Sequence, residues 1–352
     1  MSKSDPNRLA IKRDFSIPGI AFCVERVPET GQLYFGSSDF KVYEVDALAE
    51  KPEPAAFDTD GHQSYVTGLV RSRNQLVSGS YDGNLIWWDS ETKKPTRTVK
   101  AHERWIRRVA ASPDGNIVAS VADDMVGKLW DAASGEIMHA LKDHQEETPD
   151  HYPSMLYAVA FSPDGKWLAT ADKVGHIAIW EVASGKKAGE LESPGMYTWD
   201  PRARRHSIGG IRSVAFSHDS KLLAAGGIGK IGNIDHLGGP SRVELFDWQK
   251  GKSLHVIEDD KLKGLVEQIE FDPAGNWLLA AGGDHGGFVS FYNVETGKLI
   301  QQDKAPMHVH QLAMNDDMTG FFAVGHGKIA QYEFRSDRPP GPAAPPLPEN
   351  VS

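Results

Sequence analysis

Residues 61–89, GHQSYVTGLVRSRNQLVSGSYDGNLIWWD, can be laid on residues 101–131, AHERWIRRVAASPDGNIVASVADDMVGKLWD, almost position for position. His62, Ser78, Asp82 and Trp88 of the first stretch match His102, Ser120, Asp124 and Trp130 of the second. In both, the serine precedes the aspartate by four residues and the aspartate precedes the tryptophan by six. A repeat of fixed period decides the fold before any local feature does. Each copy is one supersecondary unit that can bury its apolar face only against a neighbouring copy.

The period extends along the chain. Apolar runs of one shape begin at Ile106 (IRRVAAS), Leu156 (LYAVAFSPDG), Ile211 (IRSVAFSHDS), Val266 (VEQIEFDPAG) and Val309 (VHQLAMNDD). Each is followed by a second apolar run: NIVAS, KWLAT, KLLAA, NWLLAA, GFFAV. A third run then reaches an aromatic followed by a polar residue, as in Trp130-Asp131, Trp180-Glu181, Phe246-Asp247, Tyr292-Asn293 and Tyr332-Glu333. Residues 21–45, AFCVERVPETGQLYFGSSDFKVYEV, form a weaker first copy carrying Tyr43-Glu44. That makes seven copies. The runs are short, rich in Val, Ile, Leu and aromatics, and separated by turn residues, which is the signature of strands. Ser112-Pro113-Asp114-Gly115 and Ser162-Pro163-Asp164-Gly165 read as type I turns, with proline presetting φ and glycine closing the turn. Turns at 133–136 and 295–298 separate each third strand from a fourth.

The GH/AH…SPDG…Trp-Asp pattern resembles the WD40 repeat family, whose fold is a β-propeller. The resemblance covers roughly residues 14–335 and is closest in the copies at 61–89 and 101–131. It implies an all-β, seven-bladed propeller of four-stranded antiparallel blades, because packing small sheets face to face in a ring leaves no terminal unit exposed. The last copy supplies three strands before the chain turns Pro-rich. Arg8–Phe15, RLAIKRDF, is therefore expected to close the ring as that blade's fourth strand. The expected organisation is one propeller over residues 1–337 and a Pro-rich, polyproline-like or disordered tail over 338–352.

The resemblance also assigns the tetrads. The expected arrangement is a hydrogen-bonded chain from the Trp N–H through Ser and His to Asp, tying each sheet to its lead-in loop and giving a buried indole its partner. A hydrolase triad would need an exposed nucleophile and an oxyanion site, and would not need a duplicate in the next blade. The fourth copy keeps Thr170 and Trp180 but has Val174 four residues after Thr170, so its network is expected to be incomplete.

Composition narrows the function. The net charge of −10 argues against a nucleic-acid backbone as main ligand. The single cysteine, Cys23, forbids an internal disulfide and suits a reducing, cytoplasmic setting. No apolar stretch approaches membrane-spanning length, and MSKSDPNRLAIKRDF lacks the apolar core of a secretory signal. No cofactor motif is present, and a monomeric propeller that docks proteins or peptides is the expectation.

Function in such a disc sits on its loops. Three insertions stand out at 145–155, 193–209 and 227–241, and all are expected on one sector of one face, over blades four and five. The middle one carries Tyr197, Trp199, Arg202, Arg204 and Arg205, a set of aromatic and planar cationic anchors suited to a carboxylate, a phosphate or an acidic peptide. The alternative is that Trp199 plugs the loop onto the blade while the arginines pair with Glu146, Glu147 and Asp150. A second candidate is a rim patch. Tyr65 and Trp105 immediately precede inner strands, and Tyr81 and Asp123 immediately precede the turn aspartates. In propellers of this family such positions serve as contact points. Asp-His pairs at 143–144, 150–151, 235–236 and 284–285, with His308, His310 and His326 beyond, show no recognised ligand spacing, and no metal site is expected from them. The leading reading is thus a non-enzymatic interaction scaffold. The alternative is a propeller enzyme or small-ligand or metal-binding protein with a pocket under the three insertions.

Overall fold

A computed structural model describes residues 4–57, 61–73, 75–202 and 205–335; the expected tail at 338–352 lies outside them. Every sheet is antiparallel, and the only helical turns among the described residues are three short 3-10 segments. No described helix is long and apolar enough to cross a membrane. Five four-stranded sheets follow one another: Val66–Lys100, Ile106–Lys142, Leu156–Glu192, Ser213–Asp259 and Leu265–Ala305, here the second to sixth sheets. Within each, the chain meanders from an inner strand outward. Inner strands touch their neighbours around the ring, and apolar side chains fill the space between adjacent sheets.

The expected seven separate four-stranded blades are not what forms. Counted as hydrogen-bonded sheets, the propeller has six blades. The first and last sequence copies share one six-stranded sheet, because the strand Leu9–Arg26 does not break between them. Its first half pairs with Gly320–Phe334, from Leu9 opposite Phe334 to Ile20 opposite His326. Its second half pairs with Gln32–Ser37, from Ala21 opposite Ser37 to Arg26 opposite Leu33. The register slips between Ser16 and Ile20, where Gly19 takes a left-handed φ of 63°. A bulge of this kind bends a strand without ending it. The bent sheet packs its two ends on each other: Ala313, Phe322 and Val324 of one end meet Val24, Leu33 and Phe35 of the other. The ring is thus closed by backbone pairing between opposite ends of the chain, and Leu9 is fully buried against the last strands.

The tetrads are as ordered as core. Trp88 Nε1 donates to Ser78 Oγ at 2.7 Å, and Ser78 Oγ meets His62 Nε2 at 2.7 Å. His62 Nδ1 lies 3.0 Å from Asp82. Because the carboxylate can only accept, His62 carries its proton on Nδ1 and accepts from the serine at Nε2. The third sheet repeats this with Trp130, Ser120, His102 and Asp124 at 2.9, 2.7 and 3.0 Å. Burial holds the His102 imidazole below its ordinary pKa range despite the Asp124 partner. For Asp124 the desolvation penalty is outweighed by His102 and two backbone N–H groups, so the carboxyl lies low.

The fourth sheet corrects the sequence reading. Its network is complete. Trp180 Nε1 donates to Thr170 Oγ1 at 2.9 Å, His144 Nε2 meets that hydroxyl at 2.8 Å, and His144 Nδ1 meets Asp172 at 2.8 Å. Asp172, two residues after Thr170, does the work expected four residues after it. Its other oxygen accepts from the N–H groups of Val174, Gly175 and His176 and so forms the turn as well. The network requires a carboxylate at a point in space, and the strand end supplies it as well as the turn does.

Three outcomes follow. Trp130→Phe strands the Ser120 hydroxyl and should cost about 1–3 kcal/mol in urea unfolding. Asp172→Ala should cost a similar amount, whereas Val174→Ala should stay within about 0.5 kcal/mol; a reversed order would return the network role to position 174. Removing residues up to Phe15 unpairs the last strand and empties the Leu9 site, so the melting temperature should fall by about 10 °C or more; an unchanged value would show that this pairing does not close the ring.

Candidate functional site

The face carrying the lead-in loops is built by one recurring backbone contact. Tyr81 N donates to Tyr65 O and Asp123 N to Trp105 O, both at 3.0 Å. Lys173 N to Met155 O at 2.9 Å, His326 N to His308 O at 3.2 Å and Ser38 N to Ile20 O at 2.9 Å are the same contact elsewhere in the ring. In the second to fourth sheets it pins the residue ahead of the inner strand to the residue after the next strand; in the closing sheet Ile20 and His326 hold the same places within continuous strands. Side chains alternate along a strand, so the residue two places further shares that face. This places Phe22, Arg107, Tyr157, Glu267 and His310 in one inward layer beneath the rim.

The structure brings the predicted rim patch together. Trp105 stacks on Tyr81 with ring centroids 4.7 Å apart and planes 4° from parallel; Tyr65 lies 5.6 Å from Tyr81. Phe40 and Phe22 extend the row, 5.8 and 5.6 Å from Tyr65. Trp105 is 50% exposed, Tyr65 41% and Phe40 42%, which is unusual for three large rings in one row. Asp123 has a different role from the expected contact point. Its carboxylate accepts a bidentate pair from Arg107, Nε to Oδ1 at 2.8 Å and Nη2 to Oδ2 at 2.7 Å. Arg107 also donates to the Tyr81 hydroxyl. Its guanidinium lies 4.8 Å from the Tyr81 ring centroid, 5.2 Å from Trp105 and 5.3 Å from Tyr157. Burial alone would lower the Arg107 pKa, but the Asp123 pair overrides it and holds the charge. Cation–π contacts of this kind contribute about 0.5–2 kcal/mol each. Arg107 therefore fixes the rings in place from below.

The three insertions also meet. Tyr197 donates its hydroxyl to Asp150 at 2.8 Å, and Tyr152 packs on Trp199 at 5.0 Å, joining the first insertion to the second. Ile231 N donates to Thr198 Oγ1 at 3.1 Å, joining the second to the third. The middle insertion is a short ribbon, Tyr197–Asp200 against His206–Gly209. Trp199 is thus held against the neighbouring loop. Arg202 and Arg205 are exposed at the ribbon's turn and make no ion pair with a described residue, so the pairing with Glu146, Glu147 or Asp150 does not occur at these two. Arg204 lies outside the described residues.

The two candidates form one continuous region. Met155, the last residue of the first insertion, accepts from Tyr157 OH at 2.7 Å and from Arg107 Nη2 at 3.5 Å. Arg212 sits 3.5 Å over the Tyr157 ring. Lys173 is buried beside them; burial first, then Arg212, lowers its pKa. Sequence reading missed Arg107, Tyr157, Lys173, Arg212, Phe22 and Phe40. The available signal was register: the first two lie two residues after a pinned rim position. Cys23 is fully buried and its thiol is pushed up to about 12 by burial, so it is not a reactive group. A depression of about 350 Å³ lined by Gln32, Glu44, Asp46 and Glu53 lies on the outer part of the first sheet, away from the insertions.

Four segments, residues 56–89, 93–131, 142–181 and 202–230, match the family described as WD domain, G-beta repeat. Telomerase protein component 1 of Mus musculus is 29% identical over 258 residues, 73% of this chain and 8% of that protein. WD repeat-containing protein SL1-17 of Schistosoma mansoni is 24% identical over 66% of each chain. Small ribosomal subunit protein RACK1y of Oryza sativa is 27% identical over 47% of this chain and 46% of that one. The chain thus spans less than a tenth of the mouse relative's length. The chain thus carries WD40 repeats at four positions, within a closed ring of antiparallel sheets, and its relatives include WD-repeat proteins.

Proposed function

We propose that this protein is a non-enzymatic docking scaffold whose partner, a protein or peptide, lies across the rim from Phe40 to Trp105 and reaches the insertions over the fourth and fifth sheets. WD-repeat proteins are generally scaffolds for protein interaction. The observation that carries the finer reading is the exposed row of Phe40, Tyr65 and Trp105 braced by the half-buried Arg107–Asp123 pair. Rings held in place before binding lose little conformational freedom on contact, and aromatic side chains dominate interface energetics. Arg202 and Arg205 at the ribbon's turn, with Tyr197 and Trp199 behind them, suit an acidic segment of the partner. The chain's net charge of −10 makes a local basic edge the selective feature for such a segment. A monomer in a reducing, cytoplasmic setting is part of the same proposal, in keeping with a lone buried thiol.

Affinity purification with quantitative mass spectrometry tests this. The double variant Tyr65→Ala/Trp105→Ala should lose specific partners at least tenfold, since each ring should contribute about 1–2 kcal/mol or more. Arg202→Glu/Arg205→Glu should weaken the same partners and reduce the salt dependence of capture. Identical partner profiles for both variants and wild type would refute the assignment of this face.

A further inference from the structure

The pinned rim position and its inward neighbour carry aromatics and arginine along one part of the ring. Beyond Phe22 they carry imidazole and carboxylate. His308 occupies the place of Trp105, His326 that of Asp123, and His310 and Glu267 that of Arg107. One nitrogen or oxygen from each of Glu267, His308 and His310 lies within 4.8 Å of the others. His308 is 7% exposed, and its Nε2 sits 3.6 Å from the Glu267 carboxylate, beyond hydrogen-bond length. His308 Nδ1 lies 3.1 Å from the carbonyl of Asp284, to which it donates. That contact makes Nδ1 the donor and leaves Nε2 facing Glu267, the support that metal-ligating histidines ordinarily have. The Nε2 atoms of both His308 and His310 are buried without a hydrogen-bond partner among the described residues. Buried polar atoms in that state point to an absent partner.

We propose that Glu267, His308 and His310 bind a divalent transition-metal ion at the mouth of the central channel. Two imidazoles and a carboxylate are the donor set that suits zinc, nickel, copper or ferrous iron, with at least one coordination position left open. The ion would join the inner strand Leu265–Phe271 to the inner strand Val309–Met314, a staple between the sixth sheet and the closing sheet. Phe22, 5.1 Å from His310, and His326, stacked at 5.0 Å on His308, wall the position. Two half-buried arginines stand near. Arg108 donates to the Glu267 carbonyl at 2.8 Å and to Gln268, not to the carboxylate, and Arg212 lies over Tyr157. A second cluster, Asp143, His176 and Glu190, is already satisfied: Lys187 bridges the two carboxylates, and both His176 nitrogens have partners. The contrast singles out the first cluster.

The competing state is a protonated His308 paired with Glu267 and no ion. Tag-free, chelator-treated full-length protein titrated with Zn²⁺ by calorimetry distinguishes them. One saturable equivalent is expected, with a rise in melting temperature and, for Co²⁺, visible d–d absorption abolished by chelator. His308→Ala and His310→Ala should each weaken binding roughly tenfold or more, whereas His285→Ala, at an exposed histidine, should not. Should the histidine variants misfold, Glu267→Gln provides the near-isosteric test and should also weaken binding, and the Co²⁺ spectrum of the unaltered protein still decides. No saturable equivalent and no chelator-sensitive Co²⁺ bands, or binding unchanged in folded ligand variants, would overturn the proposal.

Discussion

Everything in this molecule depends on the closure formed by one strand. A four-stranded sheet of this size has two apolar faces and cannot bury both by itself. Each sheet here is covered by its neighbours, so the stability of every sheet depends on the ring having no gap. Leu9–Arg26 supplies the missing contact by serving both ends of the chain at once. Because it stays hydrogen-bonded through the bulge at 17–19, the first and last copies become one bent sheet rather than two. The same bend lets that sheet cover both its neighbours, with Cys23 and Val66 buried on one side and Leu9 and Trp277 on the other.

Within that ring the second, third and fourth sheets share a second device. Their Trp–Ser/Thr–His–Asp chains fix lead-in loops to strands through short contacts in buried surroundings, where hydrogen bonds are strong and an unmade one is costly. The loops so fixed are the ones that present Tyr65, Trp105 and Met155. Rigidity of the rim is thus inherited from the tetrads, and Arg107 adds a further brace from below. The fifth and sixth sheets have no such chain. Pro240, Trp248 and the ribbon at 197–209 hold the fifth instead, through packing and backbone contacts.

What the sequence showed and what it hid follow from the range of each interaction. The fold was legible because the tetrad residues keep their spacing within one copy and the turn residues recur with them. Asp172 was not, because the constraint is the position of a carboxylate beside His144, and two different offsets satisfy it. The pairing of Arg8–Phe15 with the last copy was legible; that the same strand runs on into the first copy was not, because the slip at 17–19 shows only in the backbone register. The rim aromatics Tyr65, Tyr81 and Trp105 could be named from their positions next to the repeat's landmarks. Arg107 escaped because nothing local marks its side chain as inward; only the strand register does. His308 and His310 were in view but showed no ligand spacing, and Glu267 was not named, because it comes from another inner strand, 41 positions from His308, and meets them only once the ring has closed.

The register argument also explains why one scaffold can hold unlike chemistry at equivalent positions. The backbone contact that pins Trp105 to Asp123 is the one that pins His308 to His326, and it uses only main-chain atoms. The side chains there are free to differ without cost to the fold. Along one part of the rim they make an aromatic row with a guanidinium beneath it, and beyond Phe22 an imidazole stack beside a carboxylate. The Glu267 carboxylate is buried, which would raise its pKa, yet His308, His310 and Arg212 hold it ionised well below the ordinary range. Arg107 is held charged in the same way by Asp123. The rim therefore carries charges of both signs, with Arg107 paired to Asp123 and Glu267 beside His308, each aimed by its own neighbours. A ligand crossing this face meets a field set by the inward layer rather than by the net charge of the chain.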